Sequence, residues 1–322
     1  MHGTVKWDDS HAWVVCGLPR SAVALSGPAT WARSGLSLHL TFRDLPPLMP
    51  ASALMNVMIG AARKAGRGLT RDFGEVEQLQ VSVKGPGNFV SAADHRAEEV
   101  LFRELGKARP GYGFLMEERG VVAGSDKTHR WIVDPLDGTT NFLHGIPLFC
   151  ISIALERDGE IVCGLVYNPI LDELYTAERG QGAFVNNRRL RVANRKNLAD
   201  SLISTGIPHR GRSGHERFLS ECKALMAGTS GLRRTGAAAL DLAWVAAGRF
   251  DGFVERDLKP WDIAGGLILV REAGGYVSAA DGTQSMFEGG SIVAGNQAIH
   301  KALLATLDGI GKVAGPKNSV SA

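Results

Sequence analysis

The chain of 322 residues has no long unbroken apolar run, and only 7% of it is aromatic. No window approaches the roughly 20 apolar residues that a membrane-crossing helix needs. Cysteine is scarce too. Cys16, Cys150, Cys163 and Cys222 show no CxxC spacing and no paired histidines, which argues against a zinc module and a disulfide scaffold. Cys150 and Cys163 lie in strand-like apolar runs, where a free thiol behaves as a small hydrophobe. A reducing cytoplasm is therefore the expected compartment. An excess of one charge is also missing: 36 Lys and Arg face 33 Asp and Glu, a net charge of only +3. With no basic block and no aromatic-basic interleaving, direct nucleic-acid binding is not expected. No internal repeat occurs.

Glycine, by contrast, is plentiful, and its 40 copies predict many tight turns and close backbone approaches. The first 48 residues hold no sustained period and make a poor signal peptide, with two aspartates near the start. We expect either an extension of little order or a natural start at Met49. From Ser52 to about Asp72, apolar residues recur at three and four, the period of an amphipathic helix. LQVSVK (79–84) reads as a strand and GPGN as a turn, and Ser91 caps a second helix with Asp94 in its first turn. GYGFLMEE and RWIVD each bring a strand to acids. FCISIALE and EIVCGLVYNP form a hairpin around Asp158-Gly159, and DELYTAE pairs with GAFVNNRRL. After about residue 200, strands and helices alternate: SLISTG, a helix near 214–226, AAALDLAWVAAG, FDGFVE, WDIAGGLILVRE, then SIVAGN and a last helix. This order predicts layers of helix and sheet, not a barrel. We expect an α+β part over 49–195, an α/β part over 196–315, and a flexible tail over 316–322.

Four acids lie where an apolar element begins or ends: Glu117, Asp134, Asp137 and Asp262. Alone, each reads most simply as a cap or a solvated residue. The run DPLDGTT is more specific. Pro135 extends the residue before it and sets the turn after it, so Asp134 and Asp137 could share a pocket with the Leu136 carbonyl between them. An all-oxygen set suits a hard cation, Mg²⁺ before Zn²⁺. Gly138-Thr139-Thr140 then opens a short helix whose free N–H groups could take a phosphate oxygen.

GYGFLMEE, WIVDPLDGTTNFLHGIPLFCISIAL and PWDIAGGLILVREAGG resemble the three signature segments of the inositol monophosphatase family, in order, with similarity from about residue 51 to the last helix. The bacterial extragenic-suppressor branch is the nearest match. The resemblance implies a layered αβαβα sandwich, like that of the fructose-1,6-bisphosphatases, and a lithium-sensitive, homodimeric enzyme using two or three Mg²⁺ per subunit. Glu117, Asp134, Asp137, Asp262 and the Leu136 carbonyl match the family's Mg²⁺ ligands. Thr139 and Glu117 match the pair that activates the attacking water, and Gly138 and Thr139 match the phosphate-binding amides. Glu255 matches the carboxylate for ring hydroxyls and Ala238 a backbone contact beside it. The resemblance also implies that Asp137, Asp262 and Lys84 contact the substrate. Lys84 and Asp94 match a mobile loop and an acid linked to a third metal.

Two residues depart from the family pattern. Met116 is expected to crowd the loop before the paired acids, and Arg119 to set a cation beside the metal ligands. Glu118 reads as a supporting or surface acid, His144 as a structural residue at a helix end, and Arg233-Arg234 as a solvated pair near the dimer surface. Inositol 1-phosphate is the expected substrate, with Glu255 and the small Ala238 favouring a polyol. Relatives with the same motifs act instead on histidinol phosphate, fructose 1,6-bisphosphate or adenosine 3′,5′-bisphosphate. A rival of another class is a binding protein for RNA polymerase and its elongation factors, with hydrolysis dispensable.

Overall fold

The computed structural model describes residues 51–75, 81–85, 88–209 and 211–313. The expected N-terminal extension (1–48) and C-terminal tail (316–322) lie outside the described residues. Two helices come first, α1 (Ala53–Phe73) and α2 (Ala92–Ala108), with a hairpin of β1 (Val81–Gly85) and β2 (Asn88–Ser91) between them. Ser52 opens α1 by accepting the Met55 N–H, and Ser91 opens α2 in a reciprocal box with Asp94. Both caps satisfy donors that a helix start leaves open.

One sheet then forms from β3 (Gly113–Met116), β4 (Gly120–Val122), β5 (His129–Asp137), β6 (Cys150–Arg157), β7 (Glu160–Asn168), β8 (Glu173–Glu178), β9 (Gly182–Val185) and β10 (Arg188–Arg189). Its spatial order is β10-β9-β8-β7-β6-β5-β3-β4, and the short α3 (Thr139–Leu143) follows β5. The β6–β7 turn uses Asp158 and Gly159, both left-handed at φ 53° and 80°, the geometry that suits strand twist. A second sheet contains β11 (Leu202–Thr205), β12 (Gly231–Arg233), β13 (Gly252–Glu255), β14 (Tyr276–Ser278) and β15 (Ile292–Gly295), ordered β12-β11-β13-β15-β14. Its helices are α4 (His215–Gly228), α5 (Ala238–Ala246), α6 (Pro260–Glu272), the short α7 (Met286–Gly289) and α8 (Gln297–Val313).

Strand alternation sorts the side chains into layers. On β5, Trp131 and Val133 join the α1 and α2 side chains Met58, Leu69 and Leu101 in one core. Ile132, facing the other way, joins α5 and α6 residues such as Leu240, Leu242, Ile263 and Leu267. Phe253 of β13 meets that same helix layer from the second sheet, whereas its neighbour Val254 faces Leu225 of α4 and Leu303 of α8. The stack is therefore α1/α2, first sheet, α5/α6, second sheet, α4/α8. It is the expected layered αβαβα arrangement. Strands β4, β12 and β14 and helix α7, three or four residues each, were not anticipated, because so short a stretch shows no period. No helix among the described residues is long and apolar enough to cross a membrane.

Candidate active site

The site grows from an irregularity in β5. On a regular strand, residues three apart point to opposite faces. Here Asp134 pairs with Ser152 and Asp137 with Cys150, so three steps on β5 match two on β6. The extra residue is a bulge at Pro135-Leu136, and a bulge reverses the alternation after it. Proline suits the break, because it brings no N–H to the ladder. Both carboxylates thus turn to the α5/α6 side. Asp134, only 1% exposed, accepts the Leu136 N–H through Oδ1 at 2.9 Å. Asp137 Oδ2 accepts the Ala239 N–H of α5 at 2.7 Å, and the Cys150 thiol approaches it at 3.7 Å.

Two further acids arrive from neighbouring elements. Strand β3 runs parallel to β5 with Met116 beside Val133, and the Glu117 N–H donates to the Val133 carbonyl at 3.3 Å. Glu117 therefore stands next to Asp134. Asp262 is the third residue of α6, and its Oδ2 accepts the Lys259 N–H at 2.7 Å. Close packing brings α6 in: a Cβ on Gly265 would meet Ser152 Oγ at 2.6 Å, and one on Gly164 would meet Ile268 Cγ2 at 2.3 Å. Gly265 of α6 and Gly164 of β7 thus allow α6 to lie against β6 and β7, while Gly266 lets α5 approach through Leu242.

These acids act on one another. Burial, together with Glu117, Asp137 and Asp262, holds the Asp134 carboxyl well above the ordinary carboxylate range. Asp137 is held well above it by burial, then by Asp262, with Glu255 and Glu117 adding and the Ala239 N–H opposing. Burial also pushes Glu255 at the end of β13 up to about 8, with Asp241 and Asp262 adding and Arg212 and Arg234 opposing. A gathering of buried acids relaxes when a cation neutralises it. Among the described residues, no three His, Cys, Asp or Glu side chains stand close enough to enclose an ion in their present conformers. The charge is nevertheless concentrated, and every donor is oxygen. That donor chemistry fits a hard divalent ion.

Beside the acids, Gly138 precedes α3 at φ 94°, and no side chain caps the helix start. A Cβ on Gly138 would meet the Leu148 carbonyl at 3.0 Å and the Ala237 Cβ at 3.2 Å, so both conformation and space require glycine. Thr139 Oγ1 lies 3.0 Å from Asp94 Oδ1 and 3.1 Å from the Leu136 carbonyl, both acceptors for its single proton. Asp94 is fully buried and belongs to the α2 capping box. The Thr139 hydroxyl thus links α3 to Asp94 of α2.

Ala238 opens α5 and is buried beside Asp137's partner, Ala239. Glu255 lies against Gly206, where a Cβ would come within 1.8 Å of its Oε1. Lys84 sits in β1, but its side chain is not among the described ones. Met116 does not crowd the loop: it is fully buried in the core beneath α1 and α2. Arg119 is directed away from the site, 2.5 Å from Glu99 Oε2 and stacked over Phe102, with Glu98 at 3.7 Å. The Glu118 N–H donates to Glu98. His144 is exposed at the end of α3, and Arg233 and Arg234 are both exposed, as expected of a solvated pair, while the Arg234 charge is still felt at Asp241 and Glu255.

Two site residues escaped the sequence reading. Asp241 is buried on α5, accepts the Thr235 hydroxyl at 2.6 Å, and is held well above the ordinary range by burial, with Asp137 adding. A lone acid inside AAALDLAWVAAG was the available signal. Asn141 donates to the Leu148 and Thr235 carbonyls at 2.6 and 2.7 Å, tying α3 to the segment before α5.

A model of the inositol monophosphatase family matches residues 51–312. The chain belongs to the inositol monophosphatase family. It is thus a member of a family of phosphoric monoester hydrolases. A Mesorhizobium japonicum protein named inositol-1-monophosphatase is 66% identical over 256 residues, covering 80% of this chain and 96% of that protein. The Escherichia coli K12 protein named Nus factor SuhB is 41% identical over 254 residues, covering 79% of this chain and 95% of that one. The crystal structure of the Bartonella henselae extragenic suppressor protein suhB superposes with a TM-score of 0.78 at 58% identity, covering 80% of this chain and 98% of that one.

Proposed function

We propose that this chain is a Mg²⁺-dependent phosphomonoesterase that releases phosphate from inositol 1-phosphate or a closely related phosphorylated polyol. The observation that carries the reading is the bulge that turns Asp134 and Asp137 to one side, next to Glu117 and Asp262. Those four carboxylates and the Leu136 carbonyl would hold two ions, with Asp94 associated with a third. Bound there, the cations supply charge neutralisation for the phosphate and a more acidic water. Phosphoryl transfer needs positioning and electrostatics more than covalent chemistry, so no side-chain nucleophile is required.

The remaining residues position the reactants. Thr139 directs its hydroxyl proton to Asp94 or to the Leu136 carbonyl. Its oxygen is then free to accept a hydrogen bond from the attacking water and to orient it. The N–H groups at Gly138 and Thr139 would receive the phosphate oxygens. Glu255 would hold ring hydroxyls, with the Ala238 backbone beside it. In this reading the enzyme is a cytoplasmic, lithium-sensitive homodimer.

The test is Mg²⁺-dependent phosphate release from inositol 1-phosphate, histidinol phosphate, fructose 1,6-bisphosphate and adenosine 3′,5′-bisphosphate, with Asp137→Asn alongside. We expect preference for inositol 1-phosphate and a loss of at least ~100-fold in the variant. Preference for another ester would keep the mechanism and replace the substrate. No release from any would overturn the reading. Relatives named Nus factor favour a second role in contact with RNA polymerase or its elongation factors. A cellular phenotype that survives Asp137→Asn would support it, and one lost with hydrolysis would oppose it.

A further inference from the structure

Helix α2 presents two buried carboxylates one turn apart, Asp94 and Glu98, 0% and 3% exposed. Residues so spaced lie on one face of a helix. Asp94 accepts the Thr139 hydroxyl at 3.0 Å. Glu98 takes up backbone instead: its Oε2 accepts the Glu118 N–H at 2.9 Å and the Arg119 N–H at 3.3 Å. One helix face thus reaches both residues of the water-activating pair. It holds Thr139 by the side chain and Glu117 through the chain that follows it.

Glu117, Glu118 and Arg119 form the loop between β3 and β4, which closes with Met116 opposite Gly120 at φ 73°. Strand β4 ends the sheet on this side, so the ladder can support the loop from β5 alone. There the Glu117 N–H donates to the Val133 carbonyl at 3.3 Å, and the next two N–H groups go to Glu98. All three donors of the loop are met, two of them by one side-chain oxygen. Arg119 closes the outer side of Glu98, with Nε 3.7 Å from Oε1, Nη2 paired to Glu99 and the guanidinium over Phe102 at 4.4 Å. A buried carboxylate must be hydrogen-bonded. Here the donors that satisfy it belong to the loop that carries Glu117.

We propose that Glu98 is a positioning residue for Glu117: by holding the Glu118 and Arg119 N–H groups it fixes the loop so that the Glu117 carboxylate stands beside Asp134. Glu98 acts through the backbone and has no part in the chemistry itself. The role rests on the metal-site reading given above, and it makes α2 the common frame of Glu117 and Thr139. Partners that orient a ligating group in this way typically contribute about ten- to a hundredfold to metal affinity.

The experiment compares Glu98→Ala and Glu98→Gln with the wild type. Alanine suits the helix and leaves both N–H groups without their acceptor. Glutamine keeps one oxygen that can take both, so it should rescue. Calorimetric titration of Mg²⁺ into the protein without substrate should give a Kd about tenfold weaker in Glu98→Ala and within about twofold of the wild type in Glu98→Gln. At saturating Mg²⁺, kcat for inositol 1-phosphate should fall about tenfold in Glu98→Ala while KM stays within about twofold. Hydrogen exchange at the Glu118 and Arg119 amides should quicken at least about tenfold in Glu98→Ala and stay slow in Glu98→Gln. A Glu98→Ala protein that melts lower yet binds Mg²⁺ like the wild type would overturn the role and leave Glu98 a residue of the fold alone. A glutamine variant as weak as the alanine one would overturn it too, because an acceptor would then not suffice. Glu98→Asp, which keeps the charge and withdraws the acceptor by one methylene, gives the same reading if Glu98→Ala does not fold, with Mg²⁺ binding weaker by at least about fivefold. Should the wild type bind no Mg²⁺, the metal-site reading fails by itself. The exchange rates then decide the positioning role alone, and equal rates in all variants would overturn it.

Discussion

Gly164 of β7 and Gly265 of α6 are packed so closely that a Cβ on Gly164 would lie 2.7 Å from the Gly265 carbonyl oxygen. This contact fixes how near α6 comes to the first sheet, and so where Asp262 stands relative to Asp134 and Asp137. A methyl group at Gly265 would also meet Ser152 Oγ at 2.6 Å and the Leu165 carbonyl at 3.1 Å. Neither the strand nor the helix can yield without disturbing the core around Ile268 and Val166. Overpacking of this kind costs about 1–3 kcal/mol. Gly265→Ala should therefore lower Tm and, by shifting Asp262, reduce activity further than its fraction unfolded explains. An unchanged Tm in differential scanning calorimetry would mean that α6 is not held by this contact.

The second glycine contact should separate binding from folding. A Cβ on Gly206 would overlap the Glu255 carboxyl group, at 1.8 Å from Oε1 and 1.9 Å from Cδ. The atoms in the way end a flexible side chain, so the fold gives way by moving Glu255. Gly206→Ala should leave stability within about 1 kcal/mol of the wild type. A lost hydrogen bond to a charged group is worth roughly 1.5–3 kcal/mol, so KM for inositol 1-phosphate should rise at least about tenfold. Steady-state kinetics with thermal melts would show it. A KM that does not move would remove Glu255 from substrate binding.

How much of this was legible in the sequence follows from where the information lies. Helices α1 and α2 could be read from apolar spacing and from Ser52 and Ser91, because those signals are local. The DPLDGTT turn was legible because proline and glycine each exclude most backbone conformations. The bulge was not, since it exists only in the register against β6. Arg119 and Met116 were misplaced for the same reason: the partners that turn them away, Glu98 and Glu99 on α2 and the core beneath α1, are remote in sequence. Arg234 is exposed as expected, but its influence on Asp241 and Glu255 was not legible, because those acids come from two other elements.

His300 gives a pH test remote from the acids. Its Nε2 lies 2.8 Å from Ser278 Oγ and its ring 6.2 Å from that of Tyr276, and burial lowers its pKa below the usual histidine value. The folded state therefore disfavours the proton that the unfolded chain accepts near pH ~6.5. Stability from this group is complete above that pH and is lost as pH falls through it towards the lower folded value. Between pH 8 and 5 the Tm of the wild type should fall more than that of His300→Gln. Parallel profiles would show that His300 titrates alike in both states.

Asp137→Asn separates a residue kept for chemistry from one kept for the fold. The asparagine Oδ1 can still accept the Ala239 N–H, while the substitution removes one of several buried, mutually repelling carboxylates. In EDTA the variant should thus melt above the wild type, by about 2–4 °C for ~1 kcal/mol in a chain of this size. Adding Mg²⁺ should reverse the order. An ion that binds only the folded protein stabilises it by mass action, and the variant has lost one carboxylate of the set proposed to hold it. Thermal melts in the two buffers would decide. A variant less stable than the wild type without metal would mean that Asp137 holds the structure together, and its loss of activity would no longer speak for a metal at this site.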